Sequence, residues 1–161
     1  MGDAGCESPD VDARRIVEQA SGFEGPELHR GLGEPATVRG VAALDAMVGR
    51  RIGGEPLQYV VGRWGFRQLD LMVDRRVLIP RPETEHLIEV ALGLHLPAEP
   101  RILDIGTGSG CLAVTLLAEI TRSRVVATDV SPAALSVAEH NARRHYVGER
   151  MALVAADLAA A

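Results

Sequence analysis

Three short apolar runs, each with an aspartate at or near its end, alternate with two amphipathic runs in the last third of this 161-residue chain. The apolar runs Arg101–Ile105, Arg124–Thr128 and Met151–Ala155 have the length of buried strands. The runs between them carry apolar residues at helical spacing, and the second opens with Ser131-Pro132, a capping residue followed by proline. This β-α-β-α-β order is half of a doubly wound parallel sheet. An α/β fold is therefore predicted.

Breaks in composition near residues 53–56 and 97–100 divide the chain into three parts. Residues 1–55 carry the spacing of short helices, residues 56–80 alternate like strands, and residues 81–161 hold the sheet. The expected architecture is a small helical N-terminal domain, a β-hairpin linker and a partial doubly wound, Rossmann-like sheet.

Local patterns predict the elements of the first two parts. The first helix is expected after the start signal Ser8-Pro9-Asp10, with apolar residues at helical spacing: Ala13, Ile16, Val17 and Ala20. A second helix is expected from the same spacing of Val41, Leu44, Met47 and Val48. A Gly- and Pro-rich connection, residues 22–35, joins them. Period-two alternation predicts an antiparallel hairpin from these residues: Tyr59, Val61, Trp64, Phe66, Leu69, Leu71 and Val73. Thr84 is expected to cap a helix with this apolar side: Leu87, Ile88, Ala91 and Leu94.

Composition limits the expected partners. With 17 basic and 22 acidic residues the net charge is −5, which argues against binding nucleic acid through bulk charge. No apolar stretch approaches the roughly 18 residues of a membrane-spanning helix, and the N-terminus lacks a signal-peptide pattern. The two cysteines and five histidines do not have metal-ligand spacing. We expect a cytoplasmic protein without a membrane, metal or nucleic-acid partner.

The candidate functional site is the glycine-rich loop Asp104-Ile-Gly-Thr-Gly-Ser-Gly110, between the first strand of the predicted sheet and the next helix. Glycine permits a left-handed backbone and a close approach to a ligand, and free N–H groups at a helix N-terminus face such a ligand. Plain turns also contain such loops, so the loop alone is weak evidence. Asp104 would repel a pyrophosphate but favours a cation. S-adenosyl-L-methionine (SAM), with a sulfonium, an α-ammonium and no phosphate, meets this requirement.

Two further acids follow the next strands. Asp129 ends the second strand, where a carboxylate accepts hydrogen bonds from ribose hydroxyls, and Asp157 follows the third, where it can accept from an adenine amino group. Each acid alone is more often a solvated loop residue, but three at successive strand ends around a glycine loop favour SAM. Cys111 opens a helix, which can lower a thiol pKa, but it is expected to pack as a small apolar residue. A phosphate-binding P-loop is excluded because the chain has no lysine.

Together these segments resemble the release-factor glutamine N5-methyltransferase family. The similar stretches are Gly54-Glu-Pro-Leu-Gln-Tyr59 with Gly62, Val77-Leu-Ile-Pro-Arg-Pro-Glu-Thr-Glu85, Leu103-Asp-Ile-Gly-Thr-Gly-Ser-Gly110, Asp129 with Ser131-Pro132, and Asn141-Ala142. The Pro-Arg-Pro-Glu-Thr-Glu block is the most family-specific, because many methyltransferases share the glycine loop. The resemblance extends from about Ser8 to Asp157.

The resemblance implies a helical domain that contacts a peptide chain release factor, a hairpin linker, and the first half of a SAM-binding class I methyltransferase domain. The implied reaction transfers a methyl group to the side-chain amide of a glutamine in a Gly-Gly-Gln loop. In this family pattern Asp129 binds the ribose, while Asp157 and Leu158 lie beside the adenine. The full set of predicted cofactor-binding residues is Asp104, Gly106, Thr107, Gly108, Ser109, Gly110, Asp129, Asp157 and Leu158.

The chain departs from the family pattern at both ends. Only a stub stands where the family has another helix before Ser8. The Asn-Pro-Pro-Tyr motif, which holds the substrate amide, is missing, since no proline follows the chain's one asparagine, Asn141. No catalytic residue is therefore predicted, and we expect the chain to be inactive alone. We also expect Arg101–Ile105, as an exposed apolar edge strand, to make the isolated chain poorly stable or prone to aggregate.

Three other interpretations stay open at this point. One is a related SAM enzyme that methylates a ribosomal-protein glutamine or a nucleic-acid amino group, although the acidic balance weighs against nucleic acid. Another is a non-catalytic module whose helices and hairpin bind a release factor. The third, an NAD-binding half-domain, is disfavoured by the charge of Asp104.

Overall fold

Helices make up the first part of the chain in the structure, a computed structural model that describes residues 8–31 and 33–158. The chain divides into two units, Met1–Gly62 and Arg63–Ala161. The first holds α1 (Pro9–Ser21), α2 (Pro26–Gly31), α3 (Val38–Ile52) and α4 (Leu57–Val61). The second holds a hairpin of β1 (Arg63–Phe66) and β2 (Leu69–Met72), and then α5 (Glu85–Leu92), β3 (Arg101–Ile105), α6 (Cys111–Glu119), β4 (Arg124–Asp129), α7 (Pro132–Arg144) and β5 (Met151–Ala155).

The two predicted helices of the first unit are confirmed as α1 and α3. Helix α1 starts after Ser8 with proline at its first position, and it ends at Gly22, whose φ of 78° is left-handed. Thr37 caps α3 by accepting a hydrogen bond from the backbone N–H of Gly40 at 3.0 Å. The guanidinium of Arg51 on α3 donates to the Asp12 carboxylate on α1 at 2.7 Å. This partly buried ion pair joins the two helices.

The predicted connection 22–35 also contains the short helix α2, whose Leu28 is buried. One expectation for this unit is wrong. The predicted strand through Tyr59 and Val61 is the helix α4. Leu57, Val60 and Val61 are all buried, and this helical spacing competes with the alternation of the same residues. Gly62, with a φ of 75°, then ends the helix.

The hairpin itself is confirmed in the second unit. Strands β1 and β2 pair antiparallel, with Trp64 opposite Leu71 and Phe66 opposite Leu69. Phe66 and Leu71 are fully buried and join the hydrophobic core. Strand β2 ends at Met72, so the predicted extension to Val73 is wrong by one residue.

Helix α5 differs from its prediction in how it begins and which face it buries. Thr84 is itself helical and makes no side-chain capping bond, because residues Pro82–Thr84 already form a 3₁₀ turn. Ile88 is fully buried as expected, but Leu87 is 57% exposed. The helix ends before Gly93, so Leu94 lies outside it and is also exposed. A helix of only eight residues buries a narrower face than the predicted stripe.

The three predicted strands of the sheet are confirmed, and β4 continues to Asp129. They pair in parallel in the order β3-β4-β5, which confirms the α/β fold class and the partial doubly wound topology. Helices α6 and α7 bury their apolar residues, among them Val114, Leu117 and Val137. Because the three strands are parallel, their carboxyl ends lie at one edge of the sheet, where the glycine loop follows β3.

Candidate functional site

The loop between β3 and α6 has three left-handed glycines. Gly106, Gly108 and Gly110 have φ angles of 73°, 55° and 78°, which residues with a Cβ rarely adopt. A Cβ on Gly106 would meet no atom within 4 Å, whereas one on Gly110 would lie 3.1 Å from the Cβ of Ala138 on α7. The first part of the loop is thus open to a ligand, and its end is packed against a helix.

Backbone hydrogen bonds tie the start of this loop to β4. The N–H groups of Gly106 and Thr107 both donate to the carbonyl of Thr128 at 2.9 Å, and the N–H of Gly110 closes a turn onto the carbonyl of Thr107 at 2.8 Å. Thr107 and Ser109 are buried. The loop therefore has a defined conformation although three of the five residues Gly106–Gly110 are glycine.

Asp104 lies half-buried at the base of the loop. Its carboxylate accepts a hydrogen bond from the hydroxyl of Thr107 at 2.7 Å. Burial raises the pKa of Asp104 above its ordinary value, and this effect outweighs the opposing hydrogen bonds from Thr107 and the backbone of Ala113; the charge of Asp129 raises the pKa further. A cation at this position would oppose the shift, because it stabilises the ionised carboxylate.

Asp129 connects the loop to the beginning of α7. One carboxylate oxygen accepts from the N–H of Gly108 and the other from the N–H of Ser131, both at 2.9 Å. Ser131 caps α7 as predicted, since its hydroxyl accepts from the N–H of Ala134 at 3.2 Å. Each oxygen of Asp129 keeps a second lone pair for another donor, such as a ligand hydroxyl.

Asp157 and Leu158 follow β5 at the same edge, and both are exposed. The N–H of Ala156 donates to the backbone carbonyl of Asp129 at 3.1 Å, and the hydroxyl of Thr128 donates to the carbonyl of Leu158 at 3.3 Å. The structure therefore brings Asp104, the loop and Asp129 into direct hydrogen-bonded contact. It holds the backbone around Asp157 beside β4 without a direct bond to the loop.

Sequence reasoning missed the role of Asn141. It is fully buried in α7, and its amide donates to the carbonyls of Ser109 and Met72 at 2.9 and 3.0 Å. A signal was present, because Asn141 continues the spacing of the buried residues Leu135 and Ala138 on the same helix. A polar residue on the buried face of a helix requires hydrogen-bond partners.

Cys111 packs against the hydrophobic core, as predicted. Burial raises the pKa of its thiol above the ordinary value, and the charge of Asp104 adds to the increase, which outweighs the hydrogen bond from Ser109. The thiol therefore stays protonated at neutral pH and is a poor nucleophile.

Residues 8–31 and 33–158 contain no group of three or more His, Cys, Asp and Glu side chains suited to a metal ion. Within the same ranges, the helices are too short or too polar to cross a membrane.

Known proteins resemble the chain in both units. Residues 1–62 match the family model of the PrmC N-terminal domain, and residues 83–160 match that of the ribosomal protein L11 methyltransferase (PrmA). The release factor glutamine methyltransferase of Chlorobaculum tepidum is 40% identical over 94% of this chain and 53% of its own length. That of Cereibacter sphaeroides is 42% identical over 98% of this chain and 56% of its own length. The chain thus spans about half the length of the curated relatives that it matches.

Solved structures give weaker similarities. A SAM-dependent methyltransferase from Thiobacillus denitrificans in complex with S-adenosyl-L-homocysteine is 26% identical, with a TM-score of 0.43, over 52% of this chain and 33% of that chain. One from Geobacter sulfurreducens, also with S-adenosyl-L-homocysteine, is 26% identical with a TM-score of 0.40, over 48% of this chain and 30% of that chain.

The similarity to the curated relatives extends from the helical unit through the glycine loop to the last strand. SAM, the predicted cofactor, is the methyl donor of the two solved SAM-dependent methyltransferases. The predicted resemblance is therefore confirmed, and the chain belongs to the release factor glutamine methyltransferase family.

Proposed function

We propose that the carboxyl ends of β3, β4 and β5 form the SAM-binding site of a methyltransferase. One arrangement carries this proposal: Asp104 and Asp129 flank a glycine loop that is open on one side, and the described residues offer neither carboxylate a basic side chain as an ion-pair partner. Carboxylates without a neutralising partner favour a ligand that brings its own positive charge. The sulfonium and α-ammonium of SAM supply that charge.

Each predicted residue has a role in this proposal. Asp104 faces the cationic part of SAM, and Asp129 accepts from the ribose hydroxyls through its remaining lone pairs. Asp157 and Leu158 lie beside the adenine. The remaining loop residues line the donor: Gly106, Thr107, Gly108, Ser109 and Gly110. Bound SAM supplies an electrophilic methyl group, and the protein orients it.

The proposed acceptor is the side-chain amide of a glutamine in a peptide chain release factor. An amide nitrogen is a weak nucleophile because its lone pair is delocalised into the carbonyl. In the transfer, a bond forms between this nitrogen and the methyl carbon, the bond from carbon to sulfur breaks, and the nitrogen loses a proton. We assign residues 1–55 to recognition of the release factor, 56–80 to a hairpin linker and 81–161 to the donor site. Because release factors act in the cytoplasm, the proposal also places the protein there.

A second acceptor has one observation in its favour, which is the match of residues 83–160 to the ribosomal protein L11 methyltransferase model. That match covers the donor half alone. The helical unit matches the PrmC N-terminal domain and the whole-chain relatives are release factor enzymes, so the release factor is the better supported substrate. Binding of the chain to each protein, measured by pull-down, separates the two. The expectation that these 161 residues alone transfer no label from SAM to either protein stays a prediction.

The donor site is tested by ligand binding. Isothermal titration calorimetry of the 161-residue chain should show binding of SAM, and of S-adenosyl-L-homocysteine, which keeps the α-ammonium but lacks the sulfonium, and none of NAD. Asp104→Asn should weaken this binding by about tenfold or more, since a hydrogen bond to a charged group contributes about 1.5–3 kcal/mol. Asp45→Asn, at an exposed acid of the helical unit, is the control and should change nothing. Equal binding of NAD, or no effect of Asp104→Asn, would overturn the proposal.

A further inference from the structure

Asn141 uses its whole side-chain amide in hydrogen bonds inside the second unit. Its Oδ1 accepts from the backbone N–H of Met72 at 2.7 Å, and its Nδ2 donates to the carbonyl of Met72 at 3.0 Å and to the carbonyl of Ser109 at 2.9 Å. The residue is fully buried. Three backbone groups of the second unit thus bond to one buried side chain.

The chemistry of this position requires asparagine. The pair of bonds to Met72 resembles the exchange of N–H and C=O between two strands, so Asn141 acts as a one-residue neighbour of β2. Aspartate has the same shape but lacks both donors, and it would bring a negative charge against two carbonyls. Leucine would leave all three backbone groups unpaired. Glutamine is one methylene too long for a site without free space.

The hairpin is also fixed at its turn, away from Asn141. The N–H of Arg67 donates to the Glu85 carboxylate on α5 at 3.0 Å, and its guanidinium donates to both oxygens of Glu119 on α6 at 2.6 and 3.3 Å. Arg144 and His145, at the end of α7, also bond Asp70 of β2 at 2.6 and 3.0 Å. Several attachments therefore hold the hairpin against the helices. The one at Asn141 continues directly into the glycine loop through Ser109.

The loop needs such an attachment because its glycines do not stiffen it. Its first residues are held by the carbonyl of Thr128, and Gly108 is held by Asp129. On the other side of Gly108, Asn141 bonds the carbonyl of Ser109. If this bond were absent, the loop would have to be ordered when the ligand binds, and the cost would appear as a lower affinity.

We propose that Asn141 is a positioning residue that holds the glycine loop in its SAM-binding conformation and couples it to the β1–β2 hairpin. This inference rests on the proposed donor site. Its consequence is that the hairpin, which lies between the helical unit and the donor site in sequence, influences how tightly the methyl donor binds. Perturbing the hairpin at Arg67 should therefore change the affinity of the loop for the donor.

The first experiment compares Asn141→Asp and Asn141→Ser with Leu117→Ala, a control that removes a fully buried side chain near the end of α6 distant from the loop. Titration calorimetry of the 161-residue chain measures the Kd of S-adenosyl-L-homocysteine, and urea unfolding measures stability. Both Asn141 variants should raise the Kd by about tenfold. Leu117→Ala should lower stability with a change in Kd of less than twofold. Asn141→Ser avoids a buried charge and covers the case in which Asn141→Asp does not fold.

Amide hydrogen exchange without ligand gives a readout that does not depend on SAM binding. The Asn141 variants should exchange faster in both Gly106–Gly110 and Leu69–Met72, whereas Leu117→Ala should not affect these two segments selectively. If the wild-type chain fails to bind S-adenosyl-L-homocysteine while this exchange pattern holds, the proposed donor site fails and the attachment of the loop to the hairpin stands. If the Asn141 variants exchange in the loop like the wild type, the inference is wrong.

A double-mutant cycle tests the coupling itself. Arg67→Gln alone should raise the Kd of S-adenosyl-L-homocysteine about two- to threefold, because it frees the turn of the hairpin from Glu119. In the Asn141→Ser background the same change should have no further effect on the Kd, since the connection to the loop is already broken. Additive effects on the Kd would show that the hairpin does not act through Asn141, and this would overturn the inference.

Discussion

At the scale of single residues, Asp104 is a carboxylate that the fold makes harder to ionise. Its pKa is raised above the ordinary 3.8 chiefly by burial. The folded chain therefore holds the proton more tightly than the unfolded chain. The stability that Asp104 contributes is present below pH 3.8 and is lost as the pH rises through the raised pKa. A cationic ligand has the opposite preference, because it binds the ionised form.

These opposite signs give a pH prediction. Over the same range, the affinity for SAM should rise with pH, while the stability that Asp104 contributes without ligand should fall. Titration calorimetry and urea unfolding at a series of pH values measure the two trends. In Asp104→Asn, both the affinity and the stability should depend less on pH, because the carboxyl that titrates is gone. An affinity that is constant or declines with rising pH would contradict a role for the Asp104 charge in binding.

Among the single residues of the site, some could be predicted from the sequence and Asn141 could not. Asp104, the glycines and Asp129 follow from local spacing, since strand ends and turn residues are encoded by neighbours along the chain. Asn141 has partners 69 and 32 residues away. The helical spacing indicates that Asn141 is buried, but no local pattern tells which backbone groups the fold brings to its side chain.

At the scale of elements, the C-terminal end of α6 depends on a side chain from outside the helix. The last carbonyls of a helix have no partner within it. The guanidinium of Arg150 donates to the carbonyls of Leu117, Ile120 and Ser123 at 2.6, 3.2 and 3.3 Å. Its positive charge also complements the negative end of the helix dipole. Arg150 therefore fixes the end of α6 next to β5.

Arg150→Gln should lower the free energy of unfolding by about 1–2 kcal/mol, because several carbonyls lose a charged donor. Arg143→Gln is a matched control, since Arg143 forms an exposed pair with Glu139 on α7 and such pairs contribute about 0–1 kcal/mol. Urea unfolding monitored by circular dichroism measures both variants. Equal midpoints for the two would mean that the Arg150 bonds do not stabilise α6.

Element prediction succeeded where one pattern fitted a segment and failed where the same residues fitted two patterns. The strands β3 and β5 were predicted with their observed ends, and α7 was located by Ser131-Pro132. Helix α4 has five residues, too few to distinguish helical from alternating spacing. What decides its form is burial of Leu57, Val60 and Val61 together, with Gly62 available to end the turn.

At the scale of the whole molecule, the parallel sheet is covered unevenly. Val125 and Ala127 of β4 are buried on one face, while Leu103 and Val126, which pair in register, are 53% and 41% exposed on the other. Ile105 at the end of the edge strand β3 is also 47% exposed. An apolar face that continues to an unpaired strand edge is a typical site of aggregation.

The double variant Leu103→Lys, Val126→Thr should therefore raise the fraction of soluble monomer severalfold, because charge at a strand edge opposes pairing with a second chain. Size-exclusion chromatography measures the monomer, and dye binding to apolar surface should fall in parallel. Val38→Thr, at an 89% exposed valine of the helical unit, is the control and should leave both unchanged. Since neither changed residue of the double variant belongs to the proposed donor site, the Kd of S-adenosyl-L-homocysteine should stay the same. A wild-type chain that is already monomeric and unfolds in one sharp thermal transition would show that this face does not limit its stability.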